Sequence, residues 1–329
     1  MFKYLTSILL LFTLVGVVHA ETLTLYSGRS KSLVDPIIQQ FEKDTGIEVK
    51  VSYANTTQLA NKLMTEGEKT SASLFWAQDA GALGAVSKKG LFAKLPESVL
   101  TKVPKTFRNS NGLWVATSGR ARVIAYSPDR VSMEALPKSV FELTQPKWKD
   151  KVGWAPLNAS FKAFLTAMRV QVGEERAEKW LRDMQANGAK IYPKNTPIIE
   201  ALAAGEIDLG LPNHYYLFRF KKGNSKYPVA QTFFKANDVG NLVNVAGIGL
   251  LKSGNNQETA LKFIEYLLSS KAQQYFVSEV FEYPVTEGVI PNANLLPLDE
   301  LLKIVPTFDL NEMDDLEGTI KLLRRVGII

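Results

Sequence analysis

A strand, a helix and a second strand follow the first twenty residues, and this unit restricts the possible architectures more than any other feature of the chain. Thr22-Leu-Thr-Leu-Tyr26 alternates polar and apolar residues, the pattern of a half-buried strand. Ser32 is placed to cap a helix running to about Asp44, with Leu33, Ile37, Ile38 and Phe41 on its apolar face. Pro36 is expected in the first turn of that helix, where a missing N–H is tolerated, and Gly46 is a natural stop. Ile47, Val49 and Val51 then alternate with Glu48, Lys50 and Ser52 as a second strand. A β-α-β unit of this kind implies parallel strands joined by a right-handed crossover.

The alternation continues along the chain. Further helices are expected at Thr57–Glu66, Ala80–Lys88, Phe161–Val172, Glu175–Asn187, Pro197–Ala204, Gln257–Leu268, Lys271–Phe281 and Leu316–Val326. Strands are expected at Ser73–Trp76, Val123–Tyr126, Val152–Trp154, Ala189–Tyr192, Asp208–Leu211 and Gly247–Leu251. Strands interleaved with helices predict an α/β protein, and this many elements predict two lobes rather than one compact sheet. Lys94–Thr106 and Pro284–Pro297 read as loops.

The first twenty residues read as a secretory signal peptide. Lys3 precedes an apolar run from Leu5 to Val18, and Val18-His19-Ala20 supplies small residues at the −3 and −1 positions of a cleavage site, with Glu21 next. The run falls short of the about 20 apolar residues of a comfortable membrane span. The expectation is a periplasmic protein with no membrane insertion. Without cysteine, stability in that oxidising space must come from a hydrophobic core rather than disulfides. A net charge of +6 without dense Lys/Arg runs argues against nucleic acid as a partner.

Composition also narrows the chemistry. With no cysteine and two histidines, one of them His19 in the signal segment, a Cys/His zinc site is excluded, and nucleophilic catalysis has little to work with. Hard oxygen donors remain. The adjacent phenols of Tyr215 and Tyr216, in Leu211-Pro-Asn-His-Tyr-Tyr-Leu-Phe-Arg219, suit a hard trivalent cation such as ferric iron. They follow a strand, with Asn213 as a candidate helix cap, so a helix N-terminus would favour their ionised forms.

Several motifs occur in order along the chain: Leu25-Tyr-Ser-Gly-Arg29, Phe41-Glu-Lys-Asp-Thr-Gly-Ile-Glu-Val49, Leu74-Phe-Trp-Ala-Gln-Asp-Ala-Gly-Ala-Leu83, Ser118-Gly-Arg-Ala-Arg-Val-Ile-Ala-Tyr126 and Asn213-His-Tyr-Tyr216. Together they resemble the ferric-iron-binding periplasmic proteins of ABC transporters. The resemblance implies the type II periplasmic binding fold: two α/β lobes joined by crossing strands, with the ligand in the cleft between them. It places lobe one at residues 21–120, lobe two at 121–245, a return to lobe one at 246–290, and a C-terminal segment, 291–329, packed on lobe two. It further implies Fe(III) as cargo, an inner-membrane ABC permease as partner, a monomer, and a synergistic anion such as carbonate beside the metal.

By the same resemblance, Tyr215 and Tyr216 are the metal ligands. Arg120, Asn158, Ala159, Ser160, Asn195 and Asn213 match an anion-holding set, and Arg29 lies in the first cleft loop as a second anion-binding arginine. The chain departs from the family elsewhere. Ser30 and Gln78 stand where one branch has a histidine and a glutamate, and Phe161 is the residue nearest a third tyrosine of another branch. Lobe one is then left with Ser30, Gln78, Asp79 and Tyr26 as candidate contributors, Asp79 also being placed to cap the helix at Ala80 and Tyr26 to pack beneath the sheet. His214 is expected outside the metal's ligand set, because adjacent side chains diverge. The alternative is a receptor for an organic anion such as a phosphonate or sugar phosphate, favoured by the missing ligands and the retained anion set. An enzyme is disfavoured by the single remaining histidine and the absence of cysteine.

Overall fold

The structure, a computed structural model, describes residues 21–329; the signal segment expected at 1–20 lies outside the described residues. Strand β1 (Thr22–Ser27), helix α1 (Lys31–Thr45) and strand β2 (Glu48–Tyr53) form the expected parallel unit. Two local details differ. The α1 N-cap is Ser30 rather than Ser32, and Pro36 lies inside the helix beyond the first turn. There it denies the carbonyl four residues back its helical partner.

Helix α2 (Thr56–Glu66), strand β3 (Leu74–Ala77), helices α3 (Ala80–Lys88) and α4 (Glu97–Leu100), and strand β4 (Val115–Ala121) follow. Next come β5 (Ile124–Tyr126), β6 (Val152–Trp154), α5 (Ala159–Val172), α6 (Glu174–Ala186), β7 (Lys190–Ile191), α7 (Asn195–Ala204), β8 (Leu209–Gly210), α8 (Tyr215–Gly223) and β9 (Ala230–Thr232). The chain closes with β10 (Val243–Leu250), α9 (Gln257–Leu267), α10 (Ser270–Tyr275), α11 (Leu298–Ile304) and α12 (Leu316–Arg325).

The strands make two five-stranded sheets. One has the order β2-β1-β3-β10-β4 and the other β7-β6-β8-β5-β9. In the first, β1 is parallel to β2 and β3, whereas β10 runs antiparallel to β3 and β4. In the second, β6 is parallel to β7 and β8, and β5 is antiparallel to β8 and β9. The chain passes between the sheets twice, from β4 to β5 and from β9 to β10. Every residue of β4 and β10 is buried, although β4 reads Val-Ala-Thr-Ser-Gly-Arg-Ala. That polar composition hides β4 from a hydrophobic-pattern search, as the three-residue length of β9 hides that strand.

Two packing features position the site. The predicted helix Lys271–Phe281 stops early: α10 gives way to a π-helical turn at Phe276–Val280, and Phe281 takes the left-handed φ of 61°. The chain then turns back so that Tyr283 and Gly119 exchange backbone hydrogen bonds of 2.8 Å in both directions. The C-terminal segment bridges two helices. Thr319 on α12 meets Thr166 on α5 at 2.6 Å, and Arg169 holds Asp315 at 2.8 Å. On its other side, Gly84 of α3 lies so close to Asp314 that a Cβ would sit 3.0 Å from its Cα.

Gly247 marks the irregularity in the β10–β4 pairing, and a Cβ there would lie 2.9 Å from the Val115 carbonyl oxygen. Backbone cannot swing aside as a side-chain tip can. Gly247→Ala should therefore lower unfolding free energy by about 1–3 kcal/mol in urea titrations. A change below a few tenths would show that the two strands tolerate separation.

Candidate functional site

Helix α8 begins at Tyr215, so both tyrosines occupy its first turn. Their rings stack with centroids 4.3 Å apart. Tyr215 is fully buried, and its hydroxyl has no hydrogen-bond partner among the described residues. Tyr216 is 9% exposed and borders a groove of about 230 Å³ shared with Thr196, Arg219 and Phe220. Burial pushes the Tyr215 phenol well above its ordinary pKa, and Tyr216 and Glu282 add to this; Arg120 and Arg29 oppose it without prevailing. Desolvation therefore favours the neutral form of the Tyr215 phenol.

The expected cap is not the one used. The Asn213 side chain donates to the Ser160 hydroxyl at 3.4 Å, and His214 occupies the N-cap position in helical backbone conformation. Both imidazole nitrogens are engaged by backbone: Nδ1 accepts from the Ala121 N–H at 3.0 Å, and Nε2–H donates to the Phe281 carbonyl at 2.7 Å. Burial pushes His214 down to about 4, so it is neutral near pH 7. It joins the start of α8 to β4 and to the Phe281 turn.

Three helix N-termini meet around the tyrosines. Asn158 caps α5, its Oδ1 accepting from the Ser160 N–H at 2.9 Å and the Ser160 hydroxyl at 2.7 Å; Ala159 lies between them. Asn195 opens α7, with its Nδ2 buried and without a hydrogen-bond partner among the described residues. With α8 they aim three positive helix ends at one place, an arrangement that attracts anions.

Arginines surround the same place. Arg120 is buried at the end of β4, and none of its three guanidinium nitrogens has a hydrogen-bond partner among the described residues. Burial lowers its pKa, and repulsion from Arg29 adds to this, while Tyr215 and Glu282 pull the other way. Arg29 donates from Nη2 to both Glu282 oxygens at 2.8 Å. Burial alone would weaken its charge, but Glu282, then Tyr215 and Tyr216, hold its pKa above the ordinary value. Arg122 donates to the Leu211 carbonyl at 2.6 Å and the Ser160 carbonyl at 3.0 Å, and it lies over the rings of Phe161 and Phe164. Burial, then the neighbouring Arg120, pushes it down to about 9.

The candidates from the first sheet fare differently. Asp79 caps α3 through Oδ1, which accepts from the Ala82 N–H at 2.9 Å, while its other oxygen is buried without a hydrogen-bond partner among the described residues. Burial raises its pKa, against the pull of the Ala82 amide, Arg120 and Lys162. Gln78 is buried at the end of β3, and its backbone N–H donates to Thr56. Ser30 is an exposed N-cap. Tyr26 is buried. Its hydroxyl donates to Glu66 at 3.4 Å, and Lys62 lies over its ring. Phe161 packs with Trp154 and Trp180.

Sequence reading passed over Arg122, Ser118 and Glu282. Arg122 had a signal: two residues after Arg120 in an otherwise apolar stretch, it repeats with strand periodicity. Glu282, between Phe281 and Tyr283 in the apolar run Val280–Val285, had a weaker one. No cluster of three or more His, Cys, Asp or Glu able to hold a metal occurs among the described residues.

Residues 70–307 match the family model of the bacterial extracellular solute-binding proteins. The major ferric iron-binding protein of Neisseria meningitidis serogroup B is 33% identical over 313 residues, covering 93% of each chain. The Fe(3+)-binding periplasmic protein of Serratia marcescens is 30% identical over 327 residues, covering 98% of this chain and 96% of that one. Iron-bound HitA from Pseudomonas aeruginosa superposes with a TM-score of 0.89 at 31% identity, over 93% of this chain and 99% of the other.

Arg122, just past β4, donates charge-assisted bonds to the Leu211 carbonyl after β8 and the Ser160 carbonyl in the first turn of α5. Arg122→Ala should cost about 2–4 kcal/mol of unfolding free energy in denaturant titrations, with Arg122→Lys recovering only part because it lacks the planar fork. Full recovery by lysine would count against this account.

Proposed function

The chain belongs to the bacterial extracellular solute-binding proteins and, among them, to the two-lobed ferric-iron-binding periplasmic group, and on that basis we propose that it binds Fe(III) through the phenolates of Tyr215 and Tyr216 together with a synergistic anion. The protein is then a receptor that carries iron across the periplasm to an inner-membrane ABC permease, as a monomer; solute-binding proteins are transport components rather than enzymes.

One observation carries this reading: adjacent phenols, one of them fully buried and without a hydrogen-bond partner among the described residues, stand among buried guanidinium and amide donors that are likewise unpartnered there. Buried polar groups in native proteins are rarely left so. Phenols are poor partners for guanidinium groups until ionised, and a trivalent cation is what ionises them. Two phenolates leave a ferric ion with one positive charge and an unfilled ligand shell. A small oxyanion held by Arg120, Arg29, Asn195, Asn213 and the α5 terminus at Asn158 and Ser160 would supply both the missing charge and further ligand atoms.

A second reading, a receptor for an organic anion such as a phosphonate or sugar phosphate, draws on the same arginines. It is favoured by Ser30 and Gln78, which offer no strong ferric ligand. Colour separates the two. Phenolate-bound ferric iron absorbs visible light, so iron loading should turn the protein orange to red. Tyr215→Phe or Tyr216→Phe should fold normally and weaken or abolish the band; full absorbance in both variants would refute the dyad.

Acid supplies an independent check. The Tyr215 pKa is raised, so below that pKa the phenol is protonated in the iron-free protein and binding must displace the proton. Ferric affinity, measured by competition with a chelator, should fall on acidification by about tenfold per pH unit for each phenolic proton displaced. A constant that stays flat from neutral to mildly acid pH would rule out phenolate ligation.

A further inference from the structure

Glu282 is completely buried, and its carboxylate is held by residues far from it in sequence. Both oxygens accept from Arg29 Nη2 at 2.8 Å, and one also accepts from the Ser118 hydroxyl on β4. The backbone fixes it from both sides. Its N–H donates to the Phe276 carbonyl at 3.0 Å across the π-helical turn, and the next residue, Tyr283, is bridged to Gly119. Just before it, Phe281 holds a left-handed φ of 61°, a conformation that a bulky residue adopts at a cost and that persists where the surroundings impose it.

Stability alone is a weak reason for such an arrangement. A buried ion pair costs so much desolvation that apolar residues of the same volume often serve equally well. The pairing is also incomplete. Glu282 engages one terminal nitrogen of Arg29, and Nε and Nη1 remain buried with no hydrogen-bond partner among the described residues. Those donors lie close enough to Tyr215 and Tyr216 for the two tyrosines to act electrostatically on the guanidinium. A guanidinium fork anchored at one nitrogen, with its other donors free, is arranged to receive a second oxyanion.

We propose that Glu282 is a positioning residue: with Ser118 it locks the Arg29 guanidinium so that Nε and Nη1 become donors to the oxyanion bound beside the iron, acting together with Arg120 and Asn195. Arg29 follows β1 of the first sheet, whereas Asn195 and both tyrosines belong to the second-sheet layer. The anion then joins the two halves of the molecule, where relatives of one branch are expected to use protein ligands. The ligand class is a small oxyanion, carbonate or phosphate. The proposal rests on the iron-site reading above.

The test titrates ferric iron at fixed pH into anion-depleted protein with increasing phosphate, then bicarbonate, and reads the concentration that gives half the maximal visible band. Glu282→Gln and Arg29→Gln should each raise that concentration by tenfold or more. Ser118→Ala should raise it by less, and Glu282→Asp should restore part of the Glu282→Gln loss. The full band should still be reached at high anion. Thermal unfolding identifies misfolded variants, and Ser118→Ala and Arg29→Gln carry the test if Glu282→Gln does not fold. A role in stability alone would lower the unfolding temperature and leave the half-saturating anion within twofold of wild type, which would overturn the proposal. If the wild type forms no tyrosine-dependent band, the iron reading has failed. Calorimetric titration of phosphate into the iron-free proteins then decides the Arg29–Glu282 question on its own: weaker binding in both variants supports it, and equal binding overturns it.

Discussion

The antiparallel pairing of β4 with β10 is the interaction on which the rest of the molecule depends. Backbone hydrogen bonds run from Val115–Ile248 to Ala121–Val243, and every residue of both strands is buried. These strands lead the chain between the two sheets, so the ladder sets where the sheets stand relative to one another. It also carries Ser118, Gly119 and Arg120 into the site. A strand with serine, glycine and arginine at its end would make a poor sheet core. It persists because Thr117 accepts from the Trp76 indole and donates to the Ala246 carbonyl, and because Gly119 is bridged by Tyr283.

From that ladder follows the electrostatic character of the site. Arg29, Arg120 and Arg122 are brought together with the buried carboxylate of Glu282, and with Asp79, whose pKa burial raises. Guanidinium groups tolerate such crowding better than ammonium groups, since their charge is spread and weakly hydrated. The three lean on different supports: Arg122 on carbonyls and aromatic rings, Arg29 on Glu282, and Arg120 on no hydrogen-bond partner among the described residues. The positive charge of Arg120 and Arg29 works against the burial that raises the Tyr215 pKa.

Much of this was legible beforehand. The β-α-β opening, the helices at Thr57–Glu66 and Ala80–Lys88, and the capping role of Asp79 needed only local chemistry, since caps and periodicity act within a turn or two. The π-helical turn at Phe276–Val280 was read as plain helix, because its residues have ordinary helical periodicity and only the tertiary contacts of Phe281 and Tyr283 break it. Asn213 has the side chain of a helix cap and sits beside one, yet it turns to Ser160. Tyr26 lies near the carboxyl end of β1, where its hydroxyl meets Glu66 and Lys62 lies over its ring, contacts that the strand pattern alone does not show.

By itself the sequence determined the α/β order of elements, the absence of thiol chemistry and the adjacency of Tyr215 and Tyr216, all of which depend on neighbours along the chain. The tertiary structure alone decided which side chains share the space around the tyrosines. Arg29 and Glu282 are 253 residues apart, and His214 bonds to Ala121 across 93. Pairs so distant leave no periodic or local trace, because their meeting depends on the strand order and on how two sheets close against each other. The same closure raised the Tyr215 pKa, since a phenol's burial belongs to the packed molecule and not to its place on a helix.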